Sequence, residues 1–254
     1  MKTVLVTGAR GQIGRGVLGL LAEDFSLKLL DLNAGNDPNC HQADLLDRSV
    51  LQAVMQGSDA VLHLAVAPGH SGTYENDAFN DVRLDVNVKG TYHVFDVAKQ
   101  CQVKRVVLVS SAMVTWGHAQ RNPQEKVAGD APACPVGTYA LTKALAEQVA
   151  SYYATSTDTE VITVRITAPL DVSDPTWTDK PIRPQQIPFP DLAQAFSLAL
   201  RVPLSGYTLV TVAGQSECCP WSLDAAKRVL GYRPQFDLDR FGLQFLDPFA
   251  VEEV

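Results

Sequence analysis

The chain has 254 residues, of which 46% are hydrophobic and 19% are charged, so it has the length and composition of a folded globular protein. Its formal net charge of -7 repels a phosphate backbone, and no cluster of lysine and arginine offsets that repulsion, which argues against a nucleic-acid partner. No apolar run approaches the roughly 18 to 20 residues that cross a bilayer. Because the amino terminus also leaves no room for a signal peptide, we expect a cytoplasmic protein with no membrane partner.

Strands and helices alternate through the first two thirds of the sequence. Short β-branched and apolar runs are typical of buried strands, and apolar residues repeated every three to four positions are typical of helices. The predicted strands cover residues 4–7, 27–30, 60–65, 105–111 and 161–168, and the predicted helices cover 13–21, 49–55, about 82–101 and 138–154. This alternation predicts an α/β fold with a doubly wound parallel sheet of the Rossmann type, covered by helices on both faces.

The last third of the sequence is less regular. Residues 168–190 include six prolines and show little periodicity, which predicts an irregular segment that leaves the sheet. The elements predicted after it are a helix over 189–201, a strand over 207–214 and a short helix within 221–234. We therefore expect a main domain over 1–167 and a small region over 168–254 that packs on the same domain.

Three glycines follow the first predicted strand at a spacing that suits a dinucleotide. Gly8, Gly11 and Gly14 stand in TGARGQIG, where a tight turn, close approach of the backbone to a pyrophosphate and close helix packing each exclude a side chain. A glycine turn between a strand and a helix can also be only a turn, so the loop by itself is a weak signal. The candidate cofactor contacts in this segment are Gly8, Arg10, Gly11, Gln12, Ile13 and Gly14.

An aspartate stands where such a fold places its ribose contact. Asp31 ends the second predicted strand about 20 residues after the glycine loop, where a carboxylate accepts hydrogen bonds from ribose hydroxyls and repels the additional phosphate of NADP. The alternative role for Asp31 is a helix or turn cap. Arg10 leaves the use of both cofactors open, because its guanidinium could approach a 2′-phosphate. The sequence predicts NAD as the cofactor, with NADP less favoured.

A tyrosine and a lysine four residues apart are suited to acid–base chemistry. Tyr139 and Lys143 in YALTK share one face of a predicted helix, so both can reach the same ligand. A tyrosine with a pKa near 10 is a poor base at neutral pH, and a neighbouring ammonium lowers that pKa. Ser111, at the end of the preceding strand, would orient the reacting oxygen, with Ser110 as the alternative serine. The trio predicts catalysis of hydride transfer between a substrate carbon and a nicotinamide.

The order of these motifs resembles that of the extended and atypical short-chain dehydrogenases. The shared motifs are TGxxGxxG, ADLLD, HLAVA, NVKGT, VSSA and YALTK, and together they cover residues 1–167, which the resemblance makes an NAD-binding domain. The resemblance implies that Asp44 and Leu45 contact the adenine. It also implies that Asn87 supports the site and that Lys143 holds the nicotinamide ribose. The residues that would line the NAD path are Leu64, Ala65, Val66 and Ala67.

The region 168–254 is the expected substrate-binding part, and it is less similar to that superfamily. Its segment GYTLVTVAGQSECCPWSLDAAKRVLGYRPQ and the overall length of the chain are similar to those of the uronate dehydrogenases, which oxidise a sugar acid at its anomeric carbon. Ala112 departs from that pattern, because those enzymes place an asparagine after the serine. Arg183 could pair with a carboxylate or phosphate, or remain a solvated side chain. The candidate substrate contacts are Ala67, Ser111, Ala112, Thr167 and Arg183.

These features predict an NAD-dependent oxidoreductase that transfers hydride between nicotinamide and a hydroxyl or carbonyl carbon of a sugar, sugar acid or similar small polar molecule. An NAD-retaining sugar epimerase with the same trio is the first alternative. A non-catalytic, NAD-binding regulatory protein is the second. The oligomeric state stays open, and the resemblance offers a homodimer as one option, because the helix before Tyr139 and the helix that contains it often pair between subunits in this superfamily.

No metal site is predicted. The five cysteines form no CxxC pair and lack histidines at metal-ligand spacing; they are Cys40, Cys101, Cys134, Cys218 and Cys219. The adjacent pair Cys218-Cys219 could be redox-active or bind a metal, but loop residues without such a role are the simpler interpretation. His63 is predicted to be a buried strand residue, whereas the candidates for either pocket lining or packing are His70, Trp116 and Trp177.

Overall fold

The structure is a computed structural model, and it describes residues 1–67, 76–204 and 206–249. Its strands are β1 (Thr3–Thr7), β2 (Ser26–Asp31), β3 (Cys40–Gln42), β4 (Ala60–His63), β5 (Arg105–Ser111), β6 (Glu160–Ile166), β7 (Pro169–Leu170), β8 (Ile187–Pro188) and β9 (Tyr207–Val212). Seven of them form a parallel sheet in the order β3-β2-β1-β4-β5-β6-β9, and β7 pairs with β8 separately. The order runs outward in both directions from β1, so the predicted doubly wound Rossmann-type sheet is confirmed.

Helices cover both faces of this sheet. They are α1 (Gln12–Leu21), α2 (Arg48–Met55), α3 (Asp77–Arg83), α4 (Thr91–Gln100), α5 (Trp116–Arg121), α6 (Thr138–Ser156), α7 (Phe189–Arg201) and α8 (Asp224–Leu230). A π-helical segment, Leu84–Gly90, connects α3 to α4. Within the described ranges, no helix has the length and apolar character needed to span a membrane.

Two apolar cores lie on opposite faces of the sheet because side chains alternate along each strand. In β5, Val107 and Val109 join the core that contains residues of α1 and α7. Val106 and Leu108 join the other core, which contains residues of α2, α4 and α6. All seven residues of β5 are buried, and full burial of each valine or leucine contributes about 1.5–3 kcal/mol. This double burial makes β5 a rigid support for its last residue, Ser111.

The observed elements differ from the predicted ones at a few places. The sequence pattern does not predict β3, because only Cys40 of its three residues is buried. The helix predicted from about residue 82 begins earlier, at Asp77, after the side chain of Asn76 caps it by accepting from the amide of Phe79. β4 ends at His63 rather than at residue 65, because the chain then leaves the ladder.

The region after residue 167 contributes to the same sheet and the same core. Strand β9 pairs with β6 over six residues, and α7 packs against α1. A methyl group on Gly16 of α1 would lie 2.3 Å from the ring of Phe189, so the two helices approach as closely as the glycine allows. The segment around Phe245 bridges back to Ile182 and covers the irregular stretch before β8.

Candidate active site

The residues predicted to be functional lie near one edge of the sheet. Thr7, Asp31 and His63 end β1, β2 and β4, and Ser111 ends β5. Because these strands are parallel, their carboxyl ends meet at the same edge. Open α/β sheets bind ligands just outside the carboxyl ends of their strands. This edge is therefore the candidate active site.

The glycine loop lies against the residues that follow β4. Gly8 has a φ of +71°, and a methyl group there would lie 2.6 Å from the backbone of Ala65. A methyl group on Gly14 would lie 2.2 Å from the carbonyl oxygen of Ala9. Both positions therefore need glycine, the first for its left-handed backbone and close neighbour and the second for the close packing of α1 on the loop.

The amino terminus of α1 has the features of a pyrophosphate site. Gly11 is its capping residue, and no side chain caps the helix there. A methyl group on Gly11 would lie 3.3 Å from the carbonyl oxygen of Gly8 and, apart from its chain neighbours, within 4 Å of no other described atom. The backbone amides at the start of a helix carry partial positive charge and favour an anion. Gln12 and Ile13 form the first turn, so this loop fits the pyrophosphate of a dinucleotide.

Asp31 has the cap role that the sequence left as an alternative, and it retains capacity for a ribose. Its carboxylate accepts hydrogen bonds from the amides of Arg10 at 2.8 Å and Asn33 at 3.0 Å. A carboxylate has about four acceptor positions, so two backbone donors hold it in place without using all of them. The Arg10 guanidinium lies 3.6 Å from the carboxylate of Asp37, and its side chain is partly exposed.

The residues that the resemblance assigns to the adenine have different environments. Asp44 is exposed, and its carboxylate accepts from the amide of Leu46. Leu45 is buried, lies against Gly90, and its carbonyl bonds to the ring of His93 at 3.0 Å. The exposed side chain of Asp44 is therefore more accessible to an adenine than the buried side chain of Leu45.

The segment after β4 connects the two halves of the site. Leu64 and Ala67 are buried, Ala65 is half-buried, and Val66 is exposed. The amide of Ala67 donates to Oδ1 of Asn87 at 2.8 Å. Asn87 lies in the π-helical segment, a kind of helix that is frequent at functional sites.

Asn87 also contacts the helix that carries the predicted tyrosine. Its Nδ2 donates to the hydroxyl of Thr142 at 3.0 Å, and that hydroxyl donates to the carbonyl of Tyr139 at 2.9 Å. The side chain of Asn87 therefore joins the segment after β4 to the first turn of α6.

Tyr139 and Lys143 lie one turn apart at the start of α6, next to the end of β5. Tyr139 is half-buried, whereas Lys143 is buried and its Nζ donates to the carbonyl of Val109 at 2.9 Å. Ser111 lies two residues after Val109, at the end of β5, and its hydroxyl accepts a hydrogen bond from the amide of Met113. The structure thus brings all three predicted catalytic residues to the α6–β5 junction.

Burial controls the charge of Lys143. Removal from water lowers the pKa of Lys143 to about 8, and the nearby carboxylate of Glu147 partly opposes that shift. At neutral pH the ammonium form still predominates, held by one carbonyl oxygen. Its positive charge is available for a phenolate or a ribose at the same edge.

Sequence reasoning missed a buried ion pair beneath this junction. Glu147 accepts from Arg165 through both carboxylate oxygens, at 2.8 and 2.7 Å, and from the hydroxyl of Ser110 at 2.6 Å. A third Arg165 donor binds the carbonyl of Ala131. Ser110 is therefore occupied on the α6 side, which favours Ser111 as the active serine. Two signals could have revealed the pair, namely a charge within the predicted buried strand VITVRITA and an acid one turn after Lys143.

The predicted substrate contacts lie at the same edge but are mostly buried. Ala67 and Ala112 are buried, and the buried hydroxyl of Thr167 donates to the carbonyl of Gln185. Arg183 is half-buried, and its Nη1 lies 3.5 Å from the carbonyl of Pro248. Arg183 stands two residues before Gln185, and its guanidinium contacts the carboxy-terminal segment at Pro248.

The two tryptophan candidates pack against other aromatic rings. Trp116 stacks on Trp221 at 5.8 Å, and Trp177 packs edge-on against Phe241. His70 lies outside the described residues. All five cysteines are free, and within the described ranges no three histidine, cysteine or acidic side chains converge as a metal site. Burial raises the pKa of the Cys219 thiol to about 11.

The chain belongs to the NAD dependent epimerase/dehydratase family, whose model matches residues 4–170. A similar protein is the uronate dehydrogenase of Pseudomonas putida, 28% identical over 245 residues that cover 94% of this chain and 85% of that relative. The NAD-dependent glucose-6-phosphate dehydrogenase of Haloferax volcanii is 26% identical over 250 residues, covering 91% and 92% of the two chains.

Solved structures agree with this assignment. A mutant uronate dehydrogenase from Agrobacterium tumefaciens, complexed with NAD, matches with a TM-score of 0.77 and 26% identity. The match covers 95% of this chain and 88% of that chain. The family resemblance, the fold and NAD as the cofactor, all predicted from the sequence, are confirmed.

Proposed function

We propose that this protein is an NAD-dependent dehydrogenase that oxidises a hydroxyl group of a small sugar or sugar acid, using Ser111, Tyr139 and Lys143. The observation that carries the proposal is the position of Lys143, which is buried, bound to the carbonyl of Val109 and one turn from Tyr139. Burial of an ammonium costs folding free energy, so a buried lysine at the edge where the cofactor loop begins favours a functional role.

The proton chemistry follows from these three residues. NAD, when bound, supplies the hydride acceptor for the substrate carbon. Tyr139, in its phenolate form, takes the proton of the substrate hydroxyl, and the ammonium of Lys143 stabilises the negative charge of that phenolate. The hydroxyl of Ser111 donates a hydrogen bond to the reacting oxygen and orients it. The substrate carbon thus loses a hydride and its oxygen loses a proton, which yields a carbonyl.

An anionic sugar is the proposed substrate class. The names of two similar proteins refer to a uronate and to glucose 6-phosphate, which both carry negative charge. Arg183 stands two residues before Gln185, whose carbonyl accepts from Thr167 just after β6, and a planar guanidinium is suited to binding a carboxylate or phosphate. If Arg183 binds that group, Arg183→Met raises KM for uronates or sugar phosphates and leaves KM for neutral sugars unchanged, whereas Arg183→Lys has a smaller effect.

The first experiment is NADH absorbance with a panel of uronic acids, sugar phosphates, neutral aldoses and small alcohols, with NAD and NADP compared in parallel. Turnover with anionic sugars and NAD is expected. Turnover with none of the panel, while NAD still binds, would contradict the dehydrogenase proposal.

Tyr139→Phe is the matched catalytic test. We expect it to lower kcat by roughly 10²- to 10⁴-fold, because the proton acceptor is lost. NAD affinity, measured by titration of intrinsic tryptophan fluorescence, should change little. Tyr152→Phe, on the same helix but exposed, is the control and should keep full activity. Unchanged turnover in Tyr139→Phe would rule out the assigned role.

An epimerase is the second candidate, because its chemistry uses the same three residues. It would retain NAD through purification and return the hydride to the substrate, so no NADH would accumulate. Cofactor content of the purified protein and proton exchange at the substrate carbon, followed by NMR in D₂O, separate the two activities.

We also propose that two copies associate through α4 and α6. These helices expose a patch of large apolar or aromatic side chains, which are Tyr92, Leu141, Leu145 and Tyr152. Exposed patches of this kind mark interaction surfaces. Leu145→Glu should shift sedimentation from a dimer to a monomer, and a monomeric wild-type protein would contradict this proposal.

A further inference from the structure

A buried histidine lies between the end of β1, which precedes the glycine loop, and the start of α4. His63 ends β4 and is only 1% exposed. Its Nδ1 lies 2.7 Å from the hydroxyl of Thr7, the residue before the glycine loop, and its Nε2 lies 3.1 Å from the hydroxyl of Thr91 at the start of α4. The proposed function assigns no role to this side chain.

The partners of the two hydroxyls determine which nitrogen of His63 carries the proton. Thr91 has one hydroxyl proton and donates it to the carbonyl of Asn87 at 2.6 Å, so it can only accept from His63. Nε2 must therefore be the donor and Nδ1 the acceptor. Thr7 then donates to Nδ1 and accepts from the amide of Ala65 at 3.4 Å. Each hydroxyl and each ring nitrogen in this series of hydrogen bonds thus has one consistent assignment as donor or acceptor.

Electrostatics keeps the ring of His63 neutral. Burial and then the positive charge of Lys143 lower the pKa of His63 to about 3. A second proton on the ring would sit on Nδ1. Thr7 would then have to accept a hydrogen bond from Nδ1 instead of donating one to it. His63 consequently stays neutral over the whole physiological pH range.

The same chain of hydrogen bonds continues to the catalytic helix. Asn87 accepts from Thr91 through its carbonyl, and its side chain binds the amide of Ala67 and the hydroxyl of Thr142. Thr142 donates to the carbonyl of Tyr139. An unbroken series of hydrogen bonds thus runs from the residue before the glycine loop to the backbone of Tyr139.

We propose that His63 is a positioning residue: as the neutral Nε2–H tautomer, it joins β1 to Thr91 and Asn87 and thereby fixes the distance between the cofactor loop and Tyr139. The inference rests on the proposed function for its effect on turnover. It rests on geometry alone for the tautomer and for the coupling to Tyr139. A shift of Tyr139 relative to the loop weakens catalysis even though no residue that touches substrate has changed.

Thr91→Val breaks the series at its centre while conserving shape, and Thr91→Ser restores the hydroxyl. We expect Thr91→Val to lower kcat roughly ten- to a hundredfold with little change in NAD affinity. Thr91→Ser should retain most of the wild-type kcat. Thr211→Val is the control, because it removes a buried hydroxyl that donates to the carbonyl of Gly129, outside the series. Equal loss of thermal stability in both valine variants with unchanged kcat in Thr91→Val would overturn the inference.

Two NMR measurements decide the inference without turnover. Long-range ¹H–¹⁵N spectra should show a His63 signal of the Nε2–H tautomer that does not change between pH 5 and pH 8. In NAD-saturated protein labelled with ¹³C-tyrosine, the Tyr139 signal, assigned by its loss in Tyr139→Phe, should move in Thr91→Val and not in Thr211→Val. An Nδ1–H or charged His63, or an unmoved Tyr139 signal, overturns it. Wild-type protein that turned over no substrate would instead refute the proposed function, and these spectra would still decide the inference.

Discussion

The glycine loop and the α6–β5 junction lie at the same edge of one sheet, but they are built in different ways. The loop is formed by backbone, and its close contacts depend on missing side chains at Gly8 and Gly14. The junction is formed by buried charged side chains, including Lys143, Glu147 and Arg165. A site made of backbone depends on a few residues that are close together in the sequence, whereas each buried charge here is stabilised by partners that are distant in the sequence. The partners of Glu147 are 18 and 37 residues away.

The largest expected effect is at the junction. Glu147→Gln leaves Arg165 as a buried charge without its counter-ion, so we expect the free energy of unfolding to fall by about 3–5 kcal/mol. The measurement is urea unfolding followed by circular dichroism. Asp24→Asn, which removes the exposed pair with Arg201, is the control and should cost far less, because solvent screens that pair. Equal losses in the two variants would contradict the description of the junction as a buried-charge site.

A smaller effect is expected in the glycine loop. Gly14→Ala forces a methyl group to within 2.2 Å of the Ala9 carbonyl oxygen, and we expect a loss of about 3 kcal/mol because the backbone must move. NAD affinity should fall as well, since the same movement displaces the start of α1. Gly19→Ala on the same helix places its methyl group more than 4 Å from every described atom outside its neighbouring residues and the backbone of its own helix, and should instead stabilise the helix by about 0.5–1 kcal/mol. Thermal unfolding of both variants tests the contrast, and similar shifts would refute it.

The smallest effect concerns the carboxylate beside the loop. Asp31→Asn keeps an acceptor for the amide of Arg10 but removes the charge, so NAD should bind about tenfold more weakly, or about 1.4 kcal/mol. The preference for NAD over NADP should fall too, because the repulsion of the 2′-phosphate is gone. Asp59→Asn is the control, since Asp59 accepts from the amide of Thr3 at the opposite end of β1. Fluorescence titrations with both cofactors measure the change, and an unaltered NAD to NADP ratio would exclude Asp31 from cofactor selection.

The predictions from sequence were most complete where periodicity is strong. The strand 105–111 and the helix 189–201 agree with β5 and α7 to the residue, because a run buried on both faces and a long amphipathic helix have clear patterns. The three-residue β3 and the π-helical segment Leu84–Gly90 were not predictable in this way. The first is too short to show a pattern, and the second has nearly the same apolar spacing as an ordinary helix.

By itself, the sequence determined the family, the doubly wound sheet and the positions of the glycine loop, Asp31 and the YALTK helix. Each of these depends on residues that lie close together in the chain, so spacing alone carries the information. Only the tertiary structure decided that Ser110 is bound to Glu147 and that His63 connects Thr7 to Thr91. Those contacts join residues 28 to 56 positions apart, and no local pattern specifies which buried polar groups will satisfy one another.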